Sequence, residues 1–280
     1  MPPIVVTVLA HNEERRIAAC LASLPLDAAD VAVHVVVNGS TDRTAQIARE
    51  FAGVTVHEYA EGGKSRSWNR FVLDSAGLEA KTYVFVDGDA EVRPGSLAAL
   101  ARTLADNPTA NAAAGLPCNG RRASYYREMI MRDHNMFGDL YALRGNFVAR
   151  MRAGGIRLPD DLVGDDGLLA AFAKADLKNE SHWSEAGVAP CPDAGFLCEP
   201  TRMNPASLSI QYRRMINYAV RHFQNRIISD IMQGEGPVGL PRQLSSLYPQ
   251  YLPQFTPRAH PAWWWFDRLA LKRMAEACAA

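Results

Sequence analysis

The chain has no excess of charge of either sign: Lys and Arg total 30, and so do Asp and Glu. That balance gives no electrostatic case for nucleic acid as a partner. Cysteine is sparse. The five residues, Cys20, Cys118, Cys191, Cys198 and Cys278, are odd in number and no two are spaced as C-x₂-C. This argues against a disulfide framework or a zinc ribbon, and reduced thiols in a cytoplasmic protein are expected. No apolar run reaches the length of a membrane-crossing helix, so none is expected. The chain enters Ile4-Val5-Val6-Thr7-Val8-Leu9 directly, without a charged segment and apolar stretch ahead of it, which argues against a secretory signal. No G-x-G-x-x-G follows that first strand and no G-x-x-x-x-G-K-[ST] occurs anywhere, which counts against dinucleotide and P-loop sites. Internal repeats and low-complexity tracts are also missing.

What is present is a core-forming chain. It is 48% hydrophobic and 21% charged over 280 residues, enough for one large α/β domain with an extension. The first half alternates apolar, β-branched runs with helical segments. Strands are predicted at Ile4–Leu9, Val31–Val37, Val54–His57, Tyr83–Val86 and Ala110–Gly115. Helices are predicted from Asn12 (as N-cap) to Leu24, Arg43 to Phe51, Lys64 to Ala76 and Pro94 to Ala105. Such alternation implies βαβ units and a mostly parallel sheet. The second half is less regular. A helix is expected from Arg121 to Phe137, a strand at Arg144–Arg150, a helix from Asp165 to Ala175, a short strand at Gly195–Cys198 and a helix from Pro205 to Phe223. Gly234 to Pro261 reads as an extended arm, closed by a helix over Trp263–Ala279.

Asp87-Gly88-Asp89 stands at the carboxyl end of an apolar strand, the edge where open α/β sheets bind ligands. Two carboxylates there suit Mg²⁺ or Mn²⁺ held with a diphosphate, and Gly88 allows close approach. An ordinary Asp-Gly turn is the plain alternative. Two further polar loops share that edge, Ala10-His11-Asn12-Glu13-Glu14 and Asn38-Gly39-Ser40-Thr41-Asp42. His11 can stack on a base and Asn38 can pair with a pyrimidine edge; a surface histidine and a turn residue are the plain readings. Gly62-Gly63-Lys64-Ser65-Arg66 opens a helix in a way that suits a diphosphate, or a flexible turn.

Together these segments resemble the family 2 glycosyltransferases of GT-A fold. The residues that carry the resemblance are Val6 to Glu14, Val35 to Thr44, Gly63-Lys64 with Asn69, and Val86 to Asp89, in the family's order and spacing. The resemblance covers about residues 1–170 and runs more loosely to about 220. It implies a GT-A domain over 1–225, with a nucleotide-binding half (1–115) and an acceptor-binding half (116–225), and a C-terminal extension over 226–280.

The resemblance also implies roles. Asp89 is the metal ligand, with Asp87 on the ribose or a metal-bound water; the metal is Mn²⁺ or Mg²⁺. Ala10, His11, Glu13 and Asn38 line the nucleotide pocket, where Asn38 replaces a common Asp, and Lys64 meets the diphosphate. Gly164-Asp165-Asp166-Gly167 stands where the family has an E-D pair. Asp165 replaces the Glu, and Asp166 is the implied base in an inverting transfer; a plain helix start is the alternative. Gly145 and Asn146 are candidates to touch the donor sugar, or mark a strand kink. Gln211-Tyr212-Arg213-Arg214-Met215 resembles the Q-x-x-R-W element, which makes Arg214 a candidate for the leaving group. His182 and His222 are weaker candidates as metal ligands. The implied partners are a UDP- or GDP-sugar donor and an acceptor hydroxyl on a saccharide, a lipid-linked molecule or a small molecule. A homodimer is allowed. Trp263-Trp264-Trp265-Phe266, followed by Arg268, Lys272 and Arg273, permits contact with the inner face of a membrane, against core packing as the plain reading. A sugar-1-phosphate nucleotidyltransferase is the rival enzyme, disfavoured because the loop after the first strand lacks a Gly-rich Arg/Lys signature. A non-catalytic sugar-nucleotide-binding protein is the rival of another class.

Overall fold

Four parallel strands build the first half of the sheet: β1 (Ile4–Ala10), β2 (Val31–Asn38), β3 (Val54–Tyr59) and β4 (Thr82–Asp87). All seven β1 residues are buried, as a continuous apolar run must be when both faces of a parallel sheet are covered. The sheet is completed by β5 (Ala90–Val92), β6 (Ala112–Pro117), β7 (Leu140–Arg144) and β8 (Val188–Cys198). Its order is β3-β2-β1-β4-β7-β6-β8-β5, and β7 runs antiparallel to both β4 and β6. The computed structural model describes residues 3–198 and 205–278.

Side-chain alternation along β1 divides the interior into two cores. Ile4, Val6, Val8 and Ala10 pack with α1 (Ile17–Ala22), α2 (Thr44–Arg49) and α4 (Ser96–Asp106). Val5 and Leu9 belong to the opposite core, with α3 (Lys64–Trp68), α5 (Ala123–Asp133), α6 (Gly145–Ala153), α7 (Asp165–Lys174) and α8 (Pro205–Gln233). Between α8 and the last helix lie four short helical turns, among them α9 (Tyr248–Tyr251); α10 (Pro261–Ala277) closes the chain. Leu244, Tyr248, Phe255, Ala270 and Met274 join the second core, so the stretch read as an extended arm is folded onto the domain. α8 passes through position 225 without a break. Among the described residues, no helix is long and apolar enough to cross a membrane.

Three further expectations are corrected. The first helix begins at Ile17, not Asn12. Asn12 has φ +56°, and its Oδ1 accepts a hydrogen bond from Thr41 N at 2.9 Å, so it ties two loops together instead of capping a helix. The helix opened by Lys64 stops at Trp68 and passes into a π-helical turn, Asn69–Leu73. In the segment 144–150, Arg144 ends β7 and the rest is the start of α6, not a strand. Gly145 N donates to Lys81 O at 2.8 Å and ends the strand, and Phe147, Val148 and Met151 bury one helical face. A methyl group on Gly145 would overlap the Ala80 carbonyl oxygen. Gly145→Ala is therefore expected to destabilise the fold by about 3 kcal/mol, readable as a lower midpoint in urea with an unchanged slope.

On β2 and β3, His34 Nδ1 and His57 Nε2 lie 3.1 Å apart, both against the Phe71 ring of the π-helical turn. Burial, and then the neighbouring His57, push His34 down to about 4; burial also lowers His57. A depressed imidazole favours folding in its neutral form. Its contribution is complete above the ordinary histidine range and is lost as pH falls through the folded value. Stability should decline between pH 6.5 and 4, the interval these shifts define. His34→Gln should flatten the decline in thermal melts across that interval.

Candidate functional site

Parallel strands bring their carboxyl ends to one edge, and the polar loops collect there. Asn38 is buried at the end of β2, and both ends of its amide are hydrogen-bonded. Its Nδ2 donates to Ala10 O at 3.0 Å, and its Oδ1 accepts from Gly63 N at 3.3 Å. His11 Nδ1 lies 2.6 Å from the Asn38 carbonyl oxygen. Three loops are thereby locked together. Gly39 (φ +58°) completes the junction, because a methyl group there would lie 2.6 Å from Gly62 N. Asn38 acts as a brace between loops, with its side chain turned inward.

Because β7 is antiparallel, its beginning lies beside the end of β4. Asp139 therefore meets the two aspartates of the turn, and one carboxylate oxygen each from Asp87, Asp89 and Asp139 lie within 4.8 Å of one another. Lys64 Nζ holds Asp87 at 2.6 Å. Arg16 holds Asp89 at 3.3 Å and Glu13 at 2.6 Å. Two cations do not offset this many carboxylates. Burial pushes Asp87 up to about 7, with Asp139 and Asp165 adding to the shift and Lys64 opposing it. Burial and then Asp89 raise Asp139, and burial followed by Asp89 brings Glu13 to about 7. Cys198 Sγ donates to Asp139 Oδ1 at 3.0 Å; burial, with Asp139 beside it, pushes that thiol well up. Crowded hard-oxygen ligands short of positive charge fit a divalent cation of the Mg²⁺ or Mn²⁺ type. His182 and His222 do not belong to this cluster.

The second acidic pair begins α7. Asp165 is buried, and its Oδ1 lies 3.3 Å from the same Lys64 ammonium that holds Asp87. Burial works against the charge on Lys64, but Asp165 and then Asp87 outweigh it and keep the ammonium protonated. Asp166 points elsewhere. Its Oδ1 pairs with Arg221 Nη2 of α8 at 3.0 Å. The Arg221 guanidinium lies against both flanking glycines: a methyl group on Gly164 or Gly167 would sit 2.5 or 2.6 Å from it. The glycines of Gly164-Asp165-Asp166-Gly167 thus make room for an arginine.

Ala10, His11, Glu13, Asn38, Lys64, Asp87, Asp89, Asp165 and Asp166 are gathered on this edge, linked by the contacts just given. Gly145 and Asn146 are not. Arg144 pairs with Thr82 at the far end of β4, so both residues lie at the opposite edge of the sheet. Arg214 is exposed two turns before Arg221, and it is Arg221 that reaches the acidic pair. Asp139 and Arg221 were not expected from the sequence. The signals available were an acid directly before an apolar run for Asp139, and a seven-residue helical spacing from Arg214 for Arg221.

Comparisons with known proteins bear on the family and the fold. The family model described as "Glycosyl transferase family 2" matches residues 5–162, more than half of the chain. Protein RfbJ of Shigella flexneri is 35% identical over 86 residues, which are 31% of this chain; the match spans 64% of that relative's length. The fold is similar to the mannosyltransferase PcManGT from Pyrobaculum calidifontis, solved with GDP-Man and Mn²⁺. The TM-score is 0.58 at 20% identity, over 99% of this chain and 86% of the other. It is also similar to glucosyl-3-phosphoglycerate synthase from Mycobacterium tuberculosis, solved with Mn²⁺, UDP and phosphoglyceric acid. There the TM-score is 0.56 at 18% identity, over 85% of this chain and 79% of the other.

Proposed function

The chain belongs to glycosyl transferase family 2, and from that premise we propose that it moves a sugar from a nucleotide-diphosphate sugar to an acceptor hydroxyl with inversion. The observation that carries this is Lys64. One ammonium touches both Asp87 of the donor-side cluster and Asp165 of the second pair, so the two acidic groups form one site.

In this proposal the Ala10–Glu13 loop and the Asn38 junction cradle the nucleoside. Asp87, Asp89 and Asp139 would hold Mn²⁺ or Mg²⁺. The bound cation would neutralise charge that develops on the departing nucleoside diphosphate. Lys64 adds a fixed positive charge beside the diphosphate. Asp166 takes the proton of the acceptor hydroxyl. The acceptor oxygen forms its bond to the anomeric carbon from the face opposite the diphosphate. The anomeric carbon–oxygen bond breaks, and its electron pair leaves with the nucleoside diphosphate. Asp165 holds Lys64 and stays out of the proton transfer. Arg221 fixes Asp166 on the side facing α8.

GDP-Man and UDP in the two solved neighbours support a GDP- or UDP-sugar as donor. All five cysteines are free, in keeping with a cytoplasmic enzyme. The test is release of nucleoside diphosphate from a panel of UDP- and GDP-sugars with Mn²⁺ and simple saccharide acceptors, with the product's anomeric configuration read by proton NMR. Inversion is the expected result. A product that retains the donor configuration would remove Asp166 from the role given to it.

A further inference from the structure

We propose that the paired N-terminal ends of α8 and α10 form a docking face for an anionic lipid bilayer surface. The proposal does not depend on the sugar-transfer chemistry. α10 lies along α8 in the same direction: Tyr212 meets Phe266 with ring centroids 5.6 Å apart, and five and seven residues later Asn217 Oδ1 accepts from Arg273 at 2.8 Å. The first turns of both helices therefore emerge on one side. Among the described side chains there, the large exposed ones are apolar or aromatic. Leu208 is 62% exposed, Ile210 51%, Trp264 43% and Trp265 53%. Trp263 and Phe266 turn inward, Trp263 beneath the Arg258 guanidinium and Phe266 against Tyr212. The Trp-rich run is thus divided, with Trp263 and Phe266 packed and Trp264 and Trp265 exposed, Trp264 under the Arg268 guanidinium at 4.8 Å.

Charge selects the partner. The chain as a whole is neutral, yet α8 has no Asp or Glu before Asp230. Arg213, Arg214, Arg268 and Lys272 are exposed on the same two helices, Arg268 over the Trp264 ring and Lys272 3.8 Å from Glu276. Asp267, the one acid near the start of α10, is buried and bound to Arg258. Arg213, Lys272 and Arg273 also line a groove of about 470 Å³, together with Ile216, Asn217, Leu269 and Glu276. Basic heads above apolar stems suit lipid phosphates, while Trp rings settle at the level of the headgroups. A water-soluble acidic partner would use the positive charges but leave the Trp and Leu side chains unexplained.

The test is co-sedimentation of the full chain with phosphatidylcholine vesicles, with and without phosphatidylglycerol, alongside Trp emission. Binding should require phosphatidylglycerol, weaken as salt is raised and shift Trp emission to the blue. A Trp264→Ala/Trp265→Ala variant should lose the blue shift and most of the binding. An Arg213→Gln/Lys272→Gln variant should bind roughly thirtyfold more weakly, at the usual worth of two basic residues on an anionic surface. Both variants replace exposed side chains and should keep the parent melting temperature and donor binding. Equal binding to neutral vesicles, no binding to either, or full binding by both variants would overturn the proposal. So would a dimer in sedimentation velocity that the Trp variant dissolves, which would make the face an interface between two copies. None of these outcomes bears on the transferase proposal, which is read by donor binding and turnover.

Discussion

Asp166→Asn is expected to lower kcat by about 10³-fold and to leave donor binding within about threefold, since binding of the donor does not draw on that proton acceptor. Asn keeps the size of Asp and can still accept a hydrogen bond from Arg221, which lies 3.0 Å from Asp166 Oδ1. The loss should therefore be of proton acceptance and not of architecture. Steady-state release of nucleoside diphosphate with a saturating acceptor measures it. The matching Asp165→Asn change should behave differently. Asp165 is buried and shares Lys64 with Asp87. Its replacement removes one of two carboxylates that hold a half-buried ammonium, so the main effect should be a lower melting temperature. If Asp165→Asn abolishes turnover at full stability while Asp166→Asn is active, the two roles are reversed.

The second large effect is on metal binding. Asp89→Asn and Asp139→Asn are each expected to weaken Mn²⁺ affinity by about tenfold to a hundredfold, measured by titration calorimetry or by the electron paramagnetic resonance signal of free Mn²⁺. Asp139 separates this account from an ordinary Asp-Gly turn, because a turn at Asp87–Asp89 has no need of it. The sign of the metal-free stability is a further check. Burial raises Asp139, so its ionised form costs stability, and that cost grows as pH rises through the folded value. At neutral pH and without metal, Asp139→Asn should be at least as stable as the parent, yet gain less from added Mn²⁺. A carboxylate with only a structural role would lose stability in both conditions.

The parts of this site legible in the sequence were those that parallel strands place automatically. β1, β2 and β4 announce themselves as apolar runs, and parallel strands that alternate with helices end on one edge. His11, Asn38 and Asp87 therefore had to be neighbours whatever the loops did. Asp139 escaped because β7 reverses direction. The residue before an antiparallel strand, and not the one after it, reaches the edge, and locating it requires the exact start of the strand. That start was displaced, since Asn146-Phe147-Val148 is as aromatic and β-branched as a strand while burying its side chains at helical spacing in α6. The same displacement carried Gly145 and Asn146 into the candidate site although Gly145, with Asn146 next to it in the chain, packs beside Ala80 and Lys81 at the other edge. Arg221 was hidden for another reason. α8 carries several arginines, and nothing in its sequence says which one Gly164 and Gly167 leave room for. Only the packing of α8 on α7 decides that.

The central claim is that Asp87, Asp89 and Asp139 form, with the Ala10–Glu13 and Asn38 loops, a site for a nucleotide-diphosphate sugar and a divalent cation. Calorimetric titration of the purified chain with UDP- and GDP-sugars, with and without Mn²⁺, tests it most directly. The account predicts saturable binding of at least one donor, one per chain, tightened by Mn²⁺ and tightened less at the same Mn²⁺ concentration in Asp89→Asn; at a hundredfold excess over Kd it should stabilise the fold by about 2.7 kcal/mol. No binding by any donor in either condition, or tight binding that neither Mn²⁺ nor Asp89→Asn alters, would contradict it.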